Sequence, residues 1–377
     1  MNILIDASGM FYRSLYTTNY KLAKGEKLLE KEKSKGVFMR KLAMDFSSML
    51  RDFETPKRII LCIDSTSWRK EIEIVDDNVG YKGMREEKKE KNPVDWQSFY
   101  DLTNEFLEIL GTKGYILSKR NRAEADDLLY LWSRKLNKDG ENVFIITGDK
   151  DILQSACHNA NGTWTILLDP VNKRKKISLV QETFDKKDES AKDAVSIFNP
   201  SSWNTDNDVL TTLLDTFNVN IVEPNVIANS KVIIGDGGDD VPSLITWPDK
   251  KDPSKIRKMT ENNLEKIVEK VPDILHVHWS ELLKDEYIDV ICETIAEIKK
   301  IEVDKEHTRK NVTRNATLVV LSENIIPQDI QDSFNEVSDI SESIALTGRD
   351  EILKGTKWFK DRNIDFIPKA FDVFEDL

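Results

Sequence analysis

Short apolar runs alternate with helical patterns along the first half of the chain. The runs NILID, RIILCID and NVFIITGD are rich in strand-forming residues and are separated by stretches with apolar residues at helical spacing. Strands that alternate with helices are typical of an α/β domain built on a parallel sheet. We therefore predict such a domain, with helices on both faces of its sheet, over residues 1–182. TWTILLD and KKISLV predict a hairpin near its end.

The second half of the chain has a different pattern. After the polar connection TFDKKDESAKD, the spacing of apolar residues is mainly helical, and strand alternation first appears at RNATLVVL. WPDKKDPSKIRKMTENN predicts a surface loop that leads into a helix, and the charged residues 21–35 predict a mobile loop. We predict a smaller, mainly helical C-terminal domain over residues 183–377.

Aspartates follow the apolar runs of the predicted strands. Asp6 and Asp64 end the first two runs, and Asp149 and Asp151 follow the third. Parallel sheets bind ligands at the carboxyl ends of their strands, so we expect these acids to gather along one edge.

Two further motifs add carboxylates. AEADD places Glu124, Asp126 and Asp127 at the start of a predicted helix, where helix capping is the alternative role for Asp127. IIGDGGDDVPS contributes Asp236 and Asp239. Its glycines permit backbone geometries that bring N–H and C=O groups near a phosphate or a cation, although a plain turn before a helix is the alternative. These glycines are Gly235, Gly237 and Gly238.

The acidic motifs predict a metal site. So many carboxylates at one edge would raise each other's pKa unless a cation lay among them. Hard divalent ions with oxygen ligands, Mg²⁺ or Mn²⁺, are the natural neutralisers, and the number of acids favours two ions over one. The four histidines lie apart from the acidic motifs, which disfavours a zinc site and a Ser–His–Asp triad. Metal-activated water that attacks a phosphodiester is the chemistry that remains.

A charged segment after the second strand is the candidate phosphate-binding region. In residues 66–92, Lys82 and Arg85 lie three apart and would point the same way on a helix, and Arg69 is a further candidate. A solvated loop is the alternative. The net charge of −12 argues weakly against nucleic acid, but the basic tetrad KRKK at 173–176 shows that charge is unevenly spread.

The sequence also bears on location. No apolar stretch approaches the roughly 20 residues that span a bilayer, and MNILIDASG lacks the pattern of a signal peptide. Three scattered cysteines suit a reducing compartment. We expect a cytoplasmic protein with no membrane partner.

The motifs together carry a family resemblance. IDASGMFYRS, CIDSTSWRKEI followed by YKGMR, AEADD, TGDKD and GDGGDDVPS occur in the order seen in the flap endonuclease/5′→3′ exonuclease superfamily. WPDKKDPSKIRKMT and LVVLSENIIPQDI resemble the branch that contains the RNase H of T-even bacteriophages. The resemblance implies a PIN/5′-nuclease-like fold.

The resemblance also implies roles for the candidate residues. Residues 66–92 correspond to a helical arch whose Lys82 and Arg85 face the scissile phosphate. A helix–three-turn–helix element near 230–270 would hold duplex DNA, with a monovalent cation near 235–240, although Asp240 stands where relatives usually have Asn. The implied two-metal site comprises Asp6, Asp64, Glu124, Asp126, Asp149 and Asp151, completed by Asp239 with Asp236 close by.

The function implied is a two-metal-ion 5′→3′ nuclease acting on RNA–DNA hybrids, 5′ ends of duplex DNA and flaps. RNA primer removal during phage DNA replication, in the cytoplasm of the host cell, is the implied setting. The resemblance further implies a monomer with a single-stranded DNA-binding protein as a partner. The alternatives are a PIN-type endoribonuclease that cuts single-stranded RNA and a non-catalytic DNA-binding remnant.

Overall fold

The computed structural model describes residues 1–50, 53, 56–74, 80–113, 115–170, 176–180 and 218–338. The chain divides into two compact units. The first unit comprises Met1–Thr66, Asn92–Val222 and the residues from Gln328 onward, and the second comprises Ser67–Lys91 and Glu223–Pro327. The predicted domain boundary at residues 182–183 lies outside the described residues and stays a prediction.

The first unit is built on a mainly parallel sheet. Its strands are β1 (Asn2–Asp6), β2 (Arg58–Cys62), β3 (Ile116–Ser118), β4 (Val143–Ile146), β5 (Cys157–His158), β6 (Trp164–Asp169), β7 (Lys176–Leu179) and β8 (Asn218–Ile221). The spatial order is β3-β2-β1-β4-β6-β7-β8, with β5 beside β6. The first five strands of this order run parallel, and β7 is antiparallel to β6. From β1 the strand order runs one way to β2 and β3 and the other way to β4 and β6, so it reverses between β1 and β4. Open α/β sheets bind ligands at such a switch point.

Helices connect the strands and form most of the second unit. In chain order, the described helices are α1 (Ala7–Tyr16), α2 (Glu32–Leu50), α3 (Gly83–Glu90), α4 (Trp96–Thr112), α5 (Ala125–Lys138), α6 (Pro224–Ile234), α7 (Glu261–Lys270), α8 (Asp285–Lys299), α9 (Lys305–Val319) and α10 (Gln328–Ser338). Within the described part of the chain, no helix combines the length and apolar character needed to cross a bilayer.

Both faces of the central strands are buried. Ile3 and Ile5 of β1 lie in one core with residues of α1, α2 and α4. Leu4 points to the opposite face and is fully buried, and α5 packs against β1, β2 and β4. Continuous apolar runs are expected of strands buried on both faces. The predicted α/β class is therefore confirmed.

The last described helix belongs to the first unit. Phe334 of α10 packs edge-to-face on Trp132 of α5, with ring centroids 5.0 Å apart. Arg120 Nε donates to the Ser333 carbonyl at 3.1 Å, and Arg122 pairs with Asp329. These contacts tie the helix to the segment that precedes the AEADD motif.

The second unit has its own core, and two buried asparagines join its segments. Asn229, fully buried on α6, donates to the carbonyl of Val277 at 2.8 Å. Asn315, fully buried on α9, donates to the carbonyls of Val232 and Pro242, each at 2.8 Å. Such bonds hold these segments against each other, because a buried amide that loses its hydrogen-bond partner lowers the stability of the fold.

Several local predictions need correction. RNATLVVL does not form a strand, because residues up to Val319 belong to α9. The predicted loop WPDKKDPSKIRKMT contains an antiparallel ribbon of β9 (Thr246–Pro248) and β10 (Ile256–Lys258). The predicted mobile loop 21–35 ends early, because Leu29 is fully buried and α2 begins at Glu32.

Other predictions agree with the structure. The hairpin is confirmed, since β6 and β7 pair in antiparallel register. Its turn at residues 171–175, with most of the basic tetrad, lies outside the described residues. The short strand β8, which pairs parallel to β7, was not predicted.

Candidate active site

Asp6 ends β1 and begins α1. Its Oδ1 accepts the Gly9 N–H at 2.7 Å, so the side chain caps the helix. A Cβ on Gly9 would lie 2.3 Å from Asp6 Oδ2, so only glycine permits this close approach. The strand-to-helix junction thus holds the carboxylate at the carboxyl end of the sheet.

Thr147 links Asp6 to Asp149. The Thr147 hydroxyl donates to Asp6 Oδ2 at 3.1 Å and accepts the Asp149 N–H at 3.0 Å. Asp149 Oδ1 in turn accepts the Asp151 N–H at 2.9 Å. The loop after β4 is therefore ordered around its own acids, which follow the strand end as predicted.

Asp64 lies beyond the neighbouring strand β2. Its Oδ1 accepts the N–H of Ala125, the first residue of α5, at 2.7 Å. Its own N–H donates to the Ser8 hydroxyl at 3.2 Å. Asp64 therefore joins the start of α1 to the start of α5, where AEADD lies.

Glu124 and Asp127 of AEADD form a capping box at the start of α5. Glu124 precedes α5 and is 6% exposed, whereas Asp127 is fully buried and accepts the Glu124 N–H at 3.1 Å. This placement favours capping over metal binding for Asp127. Burial and then the negative charges of Asp6, Asp126 and Asp64 raise the pKa of the Cys62 thiol. These three predicted site residues therefore lie near Cys62, at the end of β2.

The electrostatics of Asp6 show that negative charge accumulates at this edge. Burial raises the pKa of Asp6 to about 6, and the charges of Asp64 and Asp149 act in the same direction. Hydrogen bonds from Gly9 and Thr147 oppose the shift without cancelling it. The charges of Asp64 and Asp149 are close enough to disfavour the ionised form of Asp6.

An open cavity of about 270 Å³ lies beside these acids. Asp6, Thr147 and Asp149 line it together with Arg13 of α1. The Arg13 guanidinium forms an ion pair with Asp45 of α2 at 3.6 Å. The cavity thus presents carboxylate oxygens to a solvent-filled space.

The second unit carries a separate set of acids on its glycine-rich loop, residues 235–241. Gly235 has φ +76°, and a Cβ there would lie 2.4 Å from the Val241 carbonyl oxygen, so the loop requires glycine. Asp236 and Val241 exchange backbone hydrogen bonds that close the loop. Asp236 Oδ1 also accepts the Gly238 N–H at 2.7 Å, and its other oxygen pairs with Lys231.

Asp239 of this loop meets the predicted arch residues. Lys82 Nζ lies 3.5 Å from its carboxylate, and Arg85 forms an ion pair with it. The Tyr81 hydroxyl donates to the same carboxylate at 3.3 Å, and Arg85 Nε donates to the Gly238 carbonyl at 3.4 Å. Lys82 and Arg85 therefore converge as predicted, but on a carboxylate of the chain itself.

Arg69 is placed differently from the prediction. Its side chain is only 2% exposed, and its guanidinium stacks on the Trp68 ring at 4.6 Å from the centroid. The guanidinium is therefore covered by the protein where the sequence predicts a phosphate contact, and that contact stays a prediction.

The first half of the chain matches a known family. Residues 1–188 match the family model for the 5′-3′ exonuclease, N-terminal resolvase-like domain. The chain belongs to the 5′→3′ exonuclease superfamily. The family resemblance stated from the sequence is thereby confirmed.

Individual relatives are more distant. The chain is 27% identical over 101 residues to the Ribonuclease H of Enterobacteria phage T4, which is 26% of this chain and 32% of that protein. The match therefore spans about a third of the relative's length.

Two solved structures from bacteriophage T5 are also similar. The flap endonuclease in a pseudo-enzyme–product complex with DNA and metal ions has 15% identity and a TM-score of 0.47, over 96% of this chain and 98% of that one. The 5′-exonuclease with bound zinc ions has 17% identity and a TM-score of 0.44, over 96% and 99%.

Sequence reasoning missed the residues that support these acids. Ser8, Gly9 and Thr147 lie within the same motifs as Asp6 and Asp149, so their positions were visible but their roles depend on contacts made only in the fold. Tyr81 precedes Lys82 directly and contacts Asp239, 158 residues further along the chain. No local pattern signals such a contact.

Proposed function

We propose that this member of the superfamily is a divalent-metal-dependent 5′→3′ nuclease. Its substrates are RNA–DNA hybrids, 5′ ends of duplex DNA and flaps, and its role is RNA primer removal during phage DNA replication. One observation carries the proposal: Asp6, Asp64 and Asp149 converge at the switch point of the family's sheet, where burial and mutual repulsion raise the pKa of Asp6 to about 6.

The donor set of the first unit fits Mg²⁺ or Mn²⁺. The converging ligands are carboxylate oxygens, which hard divalent ions prefer. The unfavourable charge on Asp6 is what a bound cation would relieve. We assign Asp6, Asp64, Glu124, Asp126, Asp149 and Asp151 to the metal-binding group.

Two bound ions would supply activated water and stabilise the leaving oxygen of a phosphodiester. The chain's own residues hold the geometry. Gly9 and Thr147 fix the two oxygens of Asp6, and the Ala125 N–H fixes one oxygen of Asp64. Because these donors are backbone groups or a buried hydroxyl, the carboxylates are held in place before substrate arrives.

The second unit supplies the phosphate-binding groups in this proposal. Lys82 and Arg85 form a compact cationic pair, and the single charge of Asp239 offsets part of their positive charge. A substrate phosphate would compete with Asp239 for the same cations. We further propose that a monovalent cation binds near residues 235–240, where Asp236 and Asp239 lie.

The choice of RNA–DNA hybrid is supported by the name of the phage T4 relative, Ribonuclease H. We extend the proposal to a cytoplasmic monomer that works with a single-stranded DNA-binding protein. The proposed setting is the infected host cell.

One assay tests the proposal. An RNA–DNA hybrid, a nicked DNA duplex and a DNA flap, each carrying a label at the 5′ end and a second label at the 3′ end of the same strand, are incubated with the protein in Mg²⁺ or in EDTA. We expect release of short 5′-labelled products from the hybrid in Mg²⁺ and none in EDTA. The matched control is Asp149→Asn in Mg²⁺, which should leave the substrates intact.

Other outcomes point to the alternatives. Internal cleavage of single-stranded RNA, with intact hybrid and flap, would identify a PIN-type endoribonuclease. Tight DNA binding without cleavage in Mg²⁺ or Mn²⁺ would identify a non-catalytic protein. Full activity in EDTA would contradict the metal assignment.

A further inference from the structure

The arch helix α3 begins in an unusual way. Lys82 stands at the N-cap position with φ +57°, in the left-handed region, and provides no side-chain cap. A lysine ammonium has no acceptor atom, so it cannot bind the N–H groups that every helix start leaves without a partner in the helix.

The glycine-rich loop supplies the missing acceptors. Met84, the second residue of α3, donates its N–H to Asp240 Oδ2 at 2.9 Å. Lys82 donates its N–H to the Asp239 carbonyl at 2.9 Å. Asp240 itself has φ +58°, a conformation that Asp and Asn tolerate better than most residues.

These contacts set the position of the two arch cations. The N–H groups of Lys82 and Met84 are bound by consecutive loop residues, and Arg85 follows directly. An apolar cluster of Ile74, Tyr81, Val241 and Leu318 holds the chain on either side of this junction. The carboxylate of Asp240 also lies at the positive end of the α3 dipole, where negative charge is favourable.

We propose that Asp240 is a positioning residue that caps α3 from the glycine-rich loop and thereby fixes Lys82 and Arg85. The catalytic consequence rests on the proposed function, whereas the capping does not. This role needs only a side-chain oxygen at position 240 that can accept the Met84 N–H.

Two variants separate the cap from the backbone conformation. Asp240→Asn keeps a side-chain oxygen acceptor and tolerates the left-handed conformation. Asp240→Gly tolerates that conformation even better but has no acceptor. Asp304→Gly is the matched control, since Asp304 caps α9 of the same unit through the His307 N–H at 3.0 Å.

The first measurement is amide hydrogen exchange of residues 83–90 in the full-length protein without substrate. We expect exchange about fivefold faster in Asp240→Gly, the factor that corresponds to losing one cap, and wild-type exchange in Asp240→Asn and Asp304→Gly. Wild-type exchange in Asp240→Gly would overturn the cap. Equally fast exchange in Asp304→Gly would overturn it too, because the effect would then be general loosening of the unit.

The second measurement is single-turnover cleavage at saturating enzyme in Mg²⁺. We expect about threefold or greater slowing in Asp240→Gly, with little change in substrate affinity, and recovery in Asp240→Asn. A loss of affinity with unchanged turnover would overturn the positioning role. If the wild type cleaves no nucleic acid, the proposed function fails, while the exchange result still decides the cap.

Discussion

Both units gather carboxylates, but the groups that surround these carboxylates differ in charge. In the first unit, burial and the neighbouring charges of Asp64 and Asp149 raise the pKa of Asp6 to about 6. In the second unit, burial raises the pKa of Asp236, but the Lys231 ammonium and the Gly238 and Asp239 N–H groups outweigh it, so the net pKa is lowered.

The opposite pKa shifts of Asp6 and Asp236 indicate two different uses of aspartate in the two units. Carboxylates that are held together without matching positive charge cost free energy, and that cost is recovered only when a cation arrives. Carboxylates paired with lysine and arginine of the same chain already have their counter-charge. The first group is therefore suited to bind metal, and the second to brace a loop and to hold cations until a phosphate competes for them.

The largest expected effect is on the first group. Asp126→Asn and Asp149→Asn should each lower cleavage by at least about 10³-fold, because each removes a charge from the proposed metal site without changing its size. Substrate binding should persist. The measurement is single-turnover cleavage in Mg²⁺, with Asp139→Asn at the other end of α5 as a control of unchanged activity. If Asp236→Asn lowered the cleavage rate as much as Asp149→Asn, the proposed difference between the two acidic groups would be wrong.

The second prediction concerns the stability of the metal-free protein. Because the pKa of Asp6 is about 6 in the fold against 3.8 for an unperturbed aspartate, the folded state holds the proton more tightly than the unfolded chain does. Stability should then fall as pH rises between about 4 and 6, by on the order of 2–3 kcal/mol. Asp6→Asn keeps an acceptor for Gly9 and has no charge. In EDTA at pH 8 it should be more stable than wild type by about 1–3 kcal/mol.

Denaturant unfolding at pH 4 and pH 8 measures this effect. The advantage of Asp6→Asn should disappear at pH 4, where wild-type Asp6 is protonated. Asp304→Asn is the control, since Asp304 also caps a helix but its pKa is lowered by the His307 N–H, so this variant should not gain stability at pH 8. Equal stability of Asp6→Asn and wild type at pH 8 would show that the first group is not electrostatically strained.

The third prediction concerns the cations of the second group. Lys82→Ala and Arg85→Ala should each lower single-turnover cleavage at saturating enzyme about 10-fold or more, with smaller losses of affinity, if they stabilise charge at the reacting phosphate. Lys91→Ala, just beyond α3 and paired only loosely with Glu87 at 3.6 Å, should cleave normally. Normal turnover of Lys82→Ala would show that the assignment of residues 66–92 as the arch is wrong.

The sequence predicted those parts of the fold in which local pattern and tertiary environment agree. β1, β2 and β4 are apolar throughout because both of their faces are buried. RNATLVVL has the apolar content of a strand, yet most of it belongs to α9. There the buried Asn315 amide donates to the carbonyls of Val232 in α6 and of Pro242, contacts that the local sequence does not reveal. β8 is short and partly exposed, so its identity comes from pairing with β7 and not from its residues.

The candidate site divides in the same way. The acids of the first group were predictable because each follows a strand end, and topology alone brings strand ends together. The bonds from Thr147 to Asp6 and from Met84 to Asp240 join residues 141 and 156 positions apart. Such contacts depend on the arrangement of loops in space, and the periodicity of apolar residues in the sequence does not predict them.

The smallest expected effect tests the pairing of the second group. Lys231→Met removes the ammonium that helps to lower the pKa of Asp236 while keeping a long apolar side chain on α6. Since the Lys231 and Asp236 side chains are 23% and 17% exposed, the loss at pH 7 should be modest, about 0.5–1 kcal/mol of unfolding free energy. The contribution of a carboxyl with a lowered pKa begins to be lost below the unperturbed value of 3.8, so the difference should shrink as pH falls below about 4 and vanish only once pH is below the lowered pKa of Asp236. A double-mutant cycle with Asp236→Asn measures the coupling, and Lys266→Met, in the exposed pair with Glu269 on α7, is the control with little effect. Zero coupling would mean that backbone N–H groups alone hold Asp236, and the contrast between the two acidic groups would then rest on Asp239 and its cations.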